Sequence, residues 1–137
     1  DYFEFLCPGL KEDVVHHWFK RAHLESRLTT PARQLSGGES QKLALIGALA
    51  SHPDLLFLDE PTAHLDFESI RFIESQITAE HESGTTIIMT SHNRAQAERL
   101  ADHILFMENG RIVEIAPAKD FFSAPKTVAA KNFLNHY

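Results

Sequence analysis

Apolar residues recur along the chain at two kinds of spacing. Spacings of three and four residues predict helices over residues 11–25, from Gly37 to about Ala50, from Phe67 to Glu82 and from Arg94 to about Ala101. Continuous apolar runs predict strands at residues 55–58 and 85–90, of the kind that a parallel sheet buries on both faces. Helices that alternate with strands indicate an α/β layer fold.

The last third of the chain carries a hairpin signal. Asn109-Gly110 lies between the apolar runs 104–107 and 111–115, and Asn-Gly is the dipeptide that a two-residue hairpin turn prefers. Two short helical patches follow, at residues 119–122 and 128–134. We therefore expect an antiparallel strand pair and a helical tail after the alternating part of the chain.

Composition narrows the class of protein. With 137 residues and 43% hydrophobic residues, the chain is long enough for one domain with a core. A formal net charge of −6 argues against a nucleic-acid partner, because phosphate contacts need clustered Lys and Arg. Cys7 is the only cysteine, which excludes an intrachain disulfide and fits a reducing compartment. No apolar run approaches the roughly 20 residues that span a bilayer.

Polar residues follow both predicted parallel strands at the edge where open α/β sheets bind ligands. Asp59 and Glu60 come directly after the run 55–58, and Ser91-His92 follow the run 85–90. A carboxylate there can hold Mg²⁺ directly or through water, and a second one can polarise an attacking water. Taken alone, the acidic pair is explained equally well by a solvated turn.

A glycine-rich segment precedes the second predicted helix, and it reads Leu35-Ser36-Gly37-Gly38-Glu39. Two adjacent glycines let backbone N–H groups approach a phosphate closely, and a helix N-terminus favours an anion. The alternative is a glycine-rich turn in which Ser36 merely caps the helix.

These motifs, taken in order, resemble those of the ABC ATPases, over residues from about Lys11 to Tyr137. The matching segments are a signature motif at Leu35–Glu39 followed by Gln41-Lys42, a Walker B ending at Asp59–Thr62, a D-loop at Ala63–Asp66 and a switch histidine at Ser91-His92. The resemblance implies the C-terminal part of a P-loop NTPase-like ABC ATPase domain, with a helical subdomain and a mainly parallel sheet. Residues 1–50 would form the helical subdomain and signature helix, and residues 51–137 the rest of the α/β core and the tail.

The resemblance implies roles for the polar residues around ATP and Mg²⁺. Asp59 would support the metal, and Glu60 would act as general base or water positioner. His92 would contact the γ-phosphate and stabilise the transition state. Across a head-to-tail dimer, the signature would face ATP bound to the second ATPase subunit, and Asp66 would couple the two sites. The signature residues in that role are Ser36, Gly37, Gly38 and Glu39.

The chain departs from the family pattern in three ways. Glu39 stands where transporters commonly carry Gln, and His64 stands where a small residue is usual. The phosphate-binding loop Gly-x-x-x-x-Gly-Lys-Ser/Thr is absent from the 137 residues. We therefore expect that this polypeptide alone does not hydrolyse ATP.

The tail points to one branch of the family. Residues 109–114 resemble the hairpin of transporter subunits, and Phe121–Pro125 with Phe133-Leu134 resemble the ending of bacterial import ATPases. Such a subunit would work at the cytoplasmic face of the inner membrane with a permease and, indirectly, a solute-binding protein. Two alternatives remain: a chromosome-maintenance or DNA-repair ATPase, which shares a signature ending in Gly-Gly-Glu, and a non-catalytic fragment that donates its signature to a complete partner.

Overall fold

The computed structural model describes Gly9 and residues 11–136. Cys7 and its thiol lie outside the described residues. The chain divides into two compact units, Asp1–Thr90 and Ser91–Tyr137. The domain boundary predicted near residue 50 stays a prediction.

The first unit alternates helices and strands, which confirms the predicted α/β class. Its elements are α1 (Glu12–Arg21), α2 (Gly37–Leu49), β1 (Leu55–Asp59), α3 (Phe67–Glu82) and β2 (Thr86–Thr90), with short 3₁₀ turns at Glu25–Arg27 and Ala32–Gln34. The predicted first helix was too long, since α1 ends at Arg21. His23 adopts a left-handed backbone with φ of 56°, which no helix can continue through.

Strands β1 and β2 form a parallel pair with the register Leu55↔Thr86 to Asp59↔Thr90. The prediction that these strands are buried on both faces was wrong. Leu56 is buried, whereas Phe57 is 67% exposed on the opposite face. The helices of this unit cover one face of the pair, and no described element of the unit covers the other.

The core of the first unit gathers around α2. Buried side chains from α1, α2, β1 and α3 form a single cluster, which includes Trp18, Phe19, Leu43, Leu45, Ile46, Leu49, Leu56, Ile73 and Ile77. Helix α2 carries buried residues on several sides because it lies among these elements, as a helix inside a core does. Its N-terminal turn is thereby held in place by the packing of the rest of the helix.

The second unit contains α4 (Arg94–Leu100), β3 (His103–Glu108), β4 (Arg111–Pro117), α5 (Ala118–Ser123) and α6 (Val128–His136). Strands β3 and β4 form the predicted antiparallel hairpin. Asn109 and Gly110 make its turn with φ of 50° and 73°, the left-handed pair that a type I′ turn requires.

A buried carboxylate holds the tail of the second unit. Glu114 on β4 accepts hydrogen bonds from the backbone N–H groups of Lys126 and Thr127, at 2.9 and 2.8 Å, and from the Thr127 hydroxyl at 2.7 Å. The Lys126 and Thr127 N–H groups hold the pKa of Glu114 below its ordinary value. Thr127 in turn accepts from the Ala130 N–H at the start of α6. Glu114 thus ties α6 to the hairpin.

Among the described residues, no helix combines the length and the apolar character that crossing a bilayer demands.

We expect Glu114→Gln to loosen the start of α6, because an amide offers one acceptor oxygen where the carboxylate offers two. The lowered pKa means that the stabilisation by Glu114 is complete above the unfolded value of about 4.5 and is lost as the pH falls through the lower folded value. The exchange rate of the Ala130 amide, measured by NMR at matched pH, should therefore exceed the wild-type rate most at pH 6 and least in acid.

Glu98→Gln, at an exposed position of the same unit, is the matched control and should leave that rate unchanged. An Ala130 exchange rate in Glu114→Gln equal to the wild-type rate at pH 6 would contradict the clamp.

Candidate nucleotide-binding site

The predicted metal ligand Asp59 and the predicted general base Glu60 lie at the carboxyl end of β1, next to the end of β2. The Thr90 hydroxyl donates a hydrogen bond to Asp59 Oδ1 at 2.6 Å. The Thr90 hydroxyl oxygen also accepts from the Glu60 N–H at 3.0 Å. Asp59 and Thr90 are both exposed, so a ligand can reach them. Thr90 therefore joins the side chain of Asp59 to the backbone of Glu60.

Glu60 begins a tight turn in an unfavourable backbone conformation. Its φ is 45°, in the left-handed region that a residue with a side chain rarely adopts. The Ala63 N–H closes the turn on the Glu60 carbonyl at 3.1 Å. His64 is also left-handed, with φ of 61°. The chain therefore leaves the direction of β1 at Glu60 and continues into the predicted D-loop.

The predicted signature motif forms the N-terminus of α2 through a capping box. Ser36 Oγ accepts from the Glu39 N–H at 3.2 Å, and the Ser36 N–H donates to the Glu39 carboxylate at 2.7 Å. Arg27 pairs with the other Glu39 oxygen at 2.8 Å. The Ser36 N–H first, and then the Arg27 side chain, lower the pKa of Glu39. Ser36 thus caps α2, and Glu39 has a structural task at this position. The predicted contact of the signature with a phosphate stays a prediction.

Gly38 lies where α2 comes close to the start of α3. A Cβ on Gly38 would lie 2.8 Å from Ser69 Oγ and 3.3 Å from Asp66 Oδ2, and the shorter distance is one that real Cβ atoms essentially never show. Ser69 cannot turn away cheaply, because it donates to both Asp66 oxygens, from its N–H and from its hydroxyl, each at 2.8 Å. Gly38 and Asp66, predicted separately from sequence, therefore lie close together within this chain.

Lys42 strengthens the same junction between the helices. Its ammonium group lies 5.5 Å from the centre of the Phe72 ring, and the residue is buried although it is charged. The Ser69 N–H, then its hydroxyl, and to a smaller extent the charge of Lys42, lower the pKa of Asp66. The D-loop carboxylate is thus held as an anion that caps α3.

His92 belongs to the second unit, in a loop ordered by its neighbours. Ser91 Oγ donates to Gln96 Oε1 at 2.8 Å and accepts from the Asn93 N–H at 3.0 Å. Asn93 caps α4 by accepting from the Gln96 N–H. His92 itself is exposed. Its predicted role at the γ-phosphate stays a prediction.

Within Gly9 and residues 11–136, no three His, Cys, Asp or Glu side chains form a group that could hold a metal. The donor chemistry of Asp59 nevertheless suits Mg²⁺, which takes one or two carboxylates and completes its shell with water and phosphate oxygens. Exposure of Asp59 leaves room for such ligands.

Comparison with known proteins decides the family. The family model described as "AAA domain, putative AbiEii toxin, Type IV TA system" matches residues 12–95, more than half of the chain. The chain belongs to this AAA-domain family. The matched segment runs from α1 to the start of α4 and includes the signature, the Walker B carboxylates, the D-loop and His92.

Curated relatives of this AAA domain are ATP-binding subunits of ABC transporters, which confirms the resemblance drawn from the motifs. The phosphate import ATP-binding protein PstB of Aeropyrum pernix is 42% identical over 90% of this chain and 51% of that protein. The PstB protein of Pyrobaculum aerophilum is also 42% identical, over 96% of this chain and 58% of that protein. The arginine transport ATP-binding protein ArtM of Bacillus subtilis is 40% identical over 80% of this chain and 45% of that protein. The chain thus spans about half the length of these relatives.

Sequence reasoning missed two side chains that hydrogen-bond to the predicted site residues. Thr90 bonds to Asp59 and Glu60, and Ser69 bonds to Asp66. A hydroxyl residue at the end of the strand beside the Walker B strand was a usable signal for Thr90. Ser69 stands three residues after Asp66, the spacing at which an N-cap carboxylate meets a backbone N–H. Its contact with Gly38 depends on tertiary packing and has no local signal.

We expect Gly38→Ala to lower the free energy of unfolding by about 1–2 kcal/mol, because overpacking outweighs the gain in helix propensity of up to about 1 kcal/mol. Urea denaturation, followed by the fluorescence of Trp18, measures this free energy of unfolding. Trp18 is the only tryptophan of the 137 residues and is buried in the first unit, where Gly38 lies. Adding Ser69→Ala should recover part of the loss, because it removes the atom that the new Cβ meets.

Gly37→Ala is the matched control. No atom lies within 4 Å of a Cβ built there, so this variant should be as stable as the wild type or more stable. Equal stabilities for Gly38→Ala and Gly37→Ala would show that the approach of α2 to Ser69 does not require a glycine.

Proposed function

We propose that this chain forms the signature and Walker B part of the ATP-hydrolysing motor subunit of an ABC transporter, and that the transporter is a bacterial importer. The observation that carries the proposal is the Asp59–Thr90–Glu60 arrangement at the carboxyl end of a parallel strand pair. Ligands of open α/β sheets bind at this edge, and Mg²⁺-dependent phosphoryl transfer needs a metal-holding carboxylate and a water-orienting group in a fixed relation. The names of the curated relatives support the same choice.

In the proposed reaction, water attacks the γ-phosphate of ATP in line with the leaving group. Asp59 would hold Mg²⁺ directly or through a water ligand. Glu60 would accept a hydrogen bond from the attacking water and take its proton, and His92 would donate to a γ-phosphate oxygen. Most of the rate then comes from positioning and charge stabilisation, as in other phosphoryl transfers.

The signature turn would meet ATP bound to a second ATPase subunit in a head-to-tail dimer. Ser36 and Gly37 are exposed at the start of α2, where N–H groups attract an anion. The Ser36 Oγ accepts from the Glu39 N–H, which keeps the hydroxyl at the start of α2. Asp66 would couple the two sites, since it contacts the signature helix at Gly38.

The remaining phosphate contacts must come from a phosphate-binding loop outside these 137 residues, so we propose that the chain alone is inactive. The proposed partners are a membrane permease and, through it, a solute-binding protein, at the cytoplasmic face of the inner membrane. The relatives named here import phosphate or transport arginine, so their names do not single out a cargo.

In the complete subunit, we expect Glu60→Gln to reduce ATP turnover at least about a hundredfold, the scale of losing a general base. ATP binding should persist and trap a dimer, because the amide keeps the shape of the side chain. Phosphate release measures turnover, and size-exclusion chromatography with ATP detects the dimer. Glu82→Gln, at an exposed position of α3, is the matched control. Turnover of Glu60→Gln within about twofold of wild type would remove Glu60 from the reaction.

For the isolated 137-residue chain, we expect no calorimetric signal for Mg-ATP up to about 1 mM, where a bound complex would have only about 4 kcal/mol of binding free energy. The reason is that the β- and γ-phosphates lack their main cradle. Clear micromolar binding would mean that a nucleotide site here works without a phosphate-binding loop.

A further inference from the structure

We infer that Thr90 is a positioning residue for the proposed ATPase site, acting through Asp59 and Glu60. The inference rests on the proposed function and names a residue that the motifs do not mark. Its basis is the pair of hydrogen bonds made by one hydroxyl, to Asp59 Oδ1 at 2.6 Å and from the Glu60 N–H at 3.0 Å.

The hydroxyl continues the strand pairing past the point where the backbone ladder ends. Asp59 and Thr90 are the last paired residues of β1 and β2. Glu60 then turns into the left-handed region, with φ of 45°. The Thr90 side chain receives the Glu60 N–H at this point, so the unfavourable conformation is held by a specific partner.

The direction of both hydrogen bonds is determined by chemistry. A carboxylate only accepts, so the Thr90 proton points at Asp59, and the Thr90 lone pairs face the Glu60 N–H. Two bonds in series polarise and strengthen one another. The rotamer of the metal-binding carboxylate and the backbone of the proposed general base are therefore set by the same atom.

The two hydrogen bonds of Thr90 should affect the rate of ATP hydrolysis more than the affinity for ATP. Binding of ATP draws on contacts with its phosphates and base, whereas the Thr90 hydroxyl is engaged by Asp59 and Glu60. In-line attack instead requires that Mg²⁺ and the water-orienting carboxylate keep a fixed relation, and a displacement of about 1 Å costs on the order of a hundredfold in rate. Loss of the hydroxyl should then lower kcat and leave KM for ATP nearly unchanged.

Strand β2 supplies a matched control. Thr86 is also an exposed threonine, at the opposite end of the same strand, paired with Leu55. Thr→Val removes a hydroxyl and keeps the β-branched shape that strands favour, at either position. Thr90→Ser keeps the hydroxyl and loses only a methyl group.

The experiment measures Mg²⁺-dependent ATP turnover of the complete subunit as wild type, Thr90→Val, Thr90→Ser and Thr86→Val, with circular dichroism to verify folding. We expect Thr90→Val to lower kcat about tenfold or more, to change KM for ATP less than about twofold, and to raise the Mg²⁺ concentration needed for half-maximal rate. Thr90→Ser should retain most of the activity, and Thr86→Val should match the wild type. If Thr90→Val does not fold, Thr90→Ala removes the same hydroxyl.

The outcomes separate the inference from the proposed function. Equal kcat values for Thr90→Val and Thr86→Val, in a wild type that hydrolyses ATP and loses activity with Glu60→Gln, would overturn the role of Thr90 alone. A Thr90→Ser variant as slow as Thr90→Val would do the same. A complete wild-type subunit without turnover would overturn the proposed function, and the inference with it.

Discussion

The packing of α2 against α3 is the constraint on which the rest of the first unit depends. Ile46 and Ile73 are fully buried in the cluster that joins these helices. At the N-terminal end of the junction, Gly38 comes so close to Ser69 that a side chain has no room. Since the signature begins α2 and the D-loop ends at α3, hydrophobic burial sets the distance between two polar motifs. The two motifs proposed to serve a nucleotide are thus positioned by the hydrophobic core.

The carboxylate end of the sheet is organised by hydrogen bonds rather than by burial. Asp59 and Thr90 are exposed, and the β1–β2 pair keeps an uncovered apolar face at Leu55, Phe57 and Ile88. Hydrogen bonds are directional, so they can fix the positions of side chains at an exposed strand end without filling the space around them. The helices of this unit are therefore placed by dispersion and burial, and the Asp59 side chain and the Glu60 backbone by hydrogen bonds.

Most elements were predictable because each has a local cause. Helix α3 was predicted with its observed ends, and Asn109-Gly110 specified its hairpin through two left-handed residues. The end of α1 was missed because the left-handed backbone of His23 has no strong signature in sequence. The exposure of Phe57 was missed because an apolar run shows only that a strand could be buried. It does not show whether another element covers that face of the strand. The approach of Gly38 to Ser69 depends on how two helices pack against each other. The spacing of residues along the chain does not predict this packing.

The left-handed backbone of Glu60 has a consequence for how this chain can evolve. Glycine or asparagine would relieve the strain at that position, so selection for fold stability alone favours replacing the residue. Under the proposed catalytic role, a glutamate persists there only while turnover is selected as strongly as folding. Descendants that lose catalysis but keep a structural task would drift at residue 60 before they drift in the core. The residue at position 60 would thus record whether a lineage has kept the proposed ATPase activity.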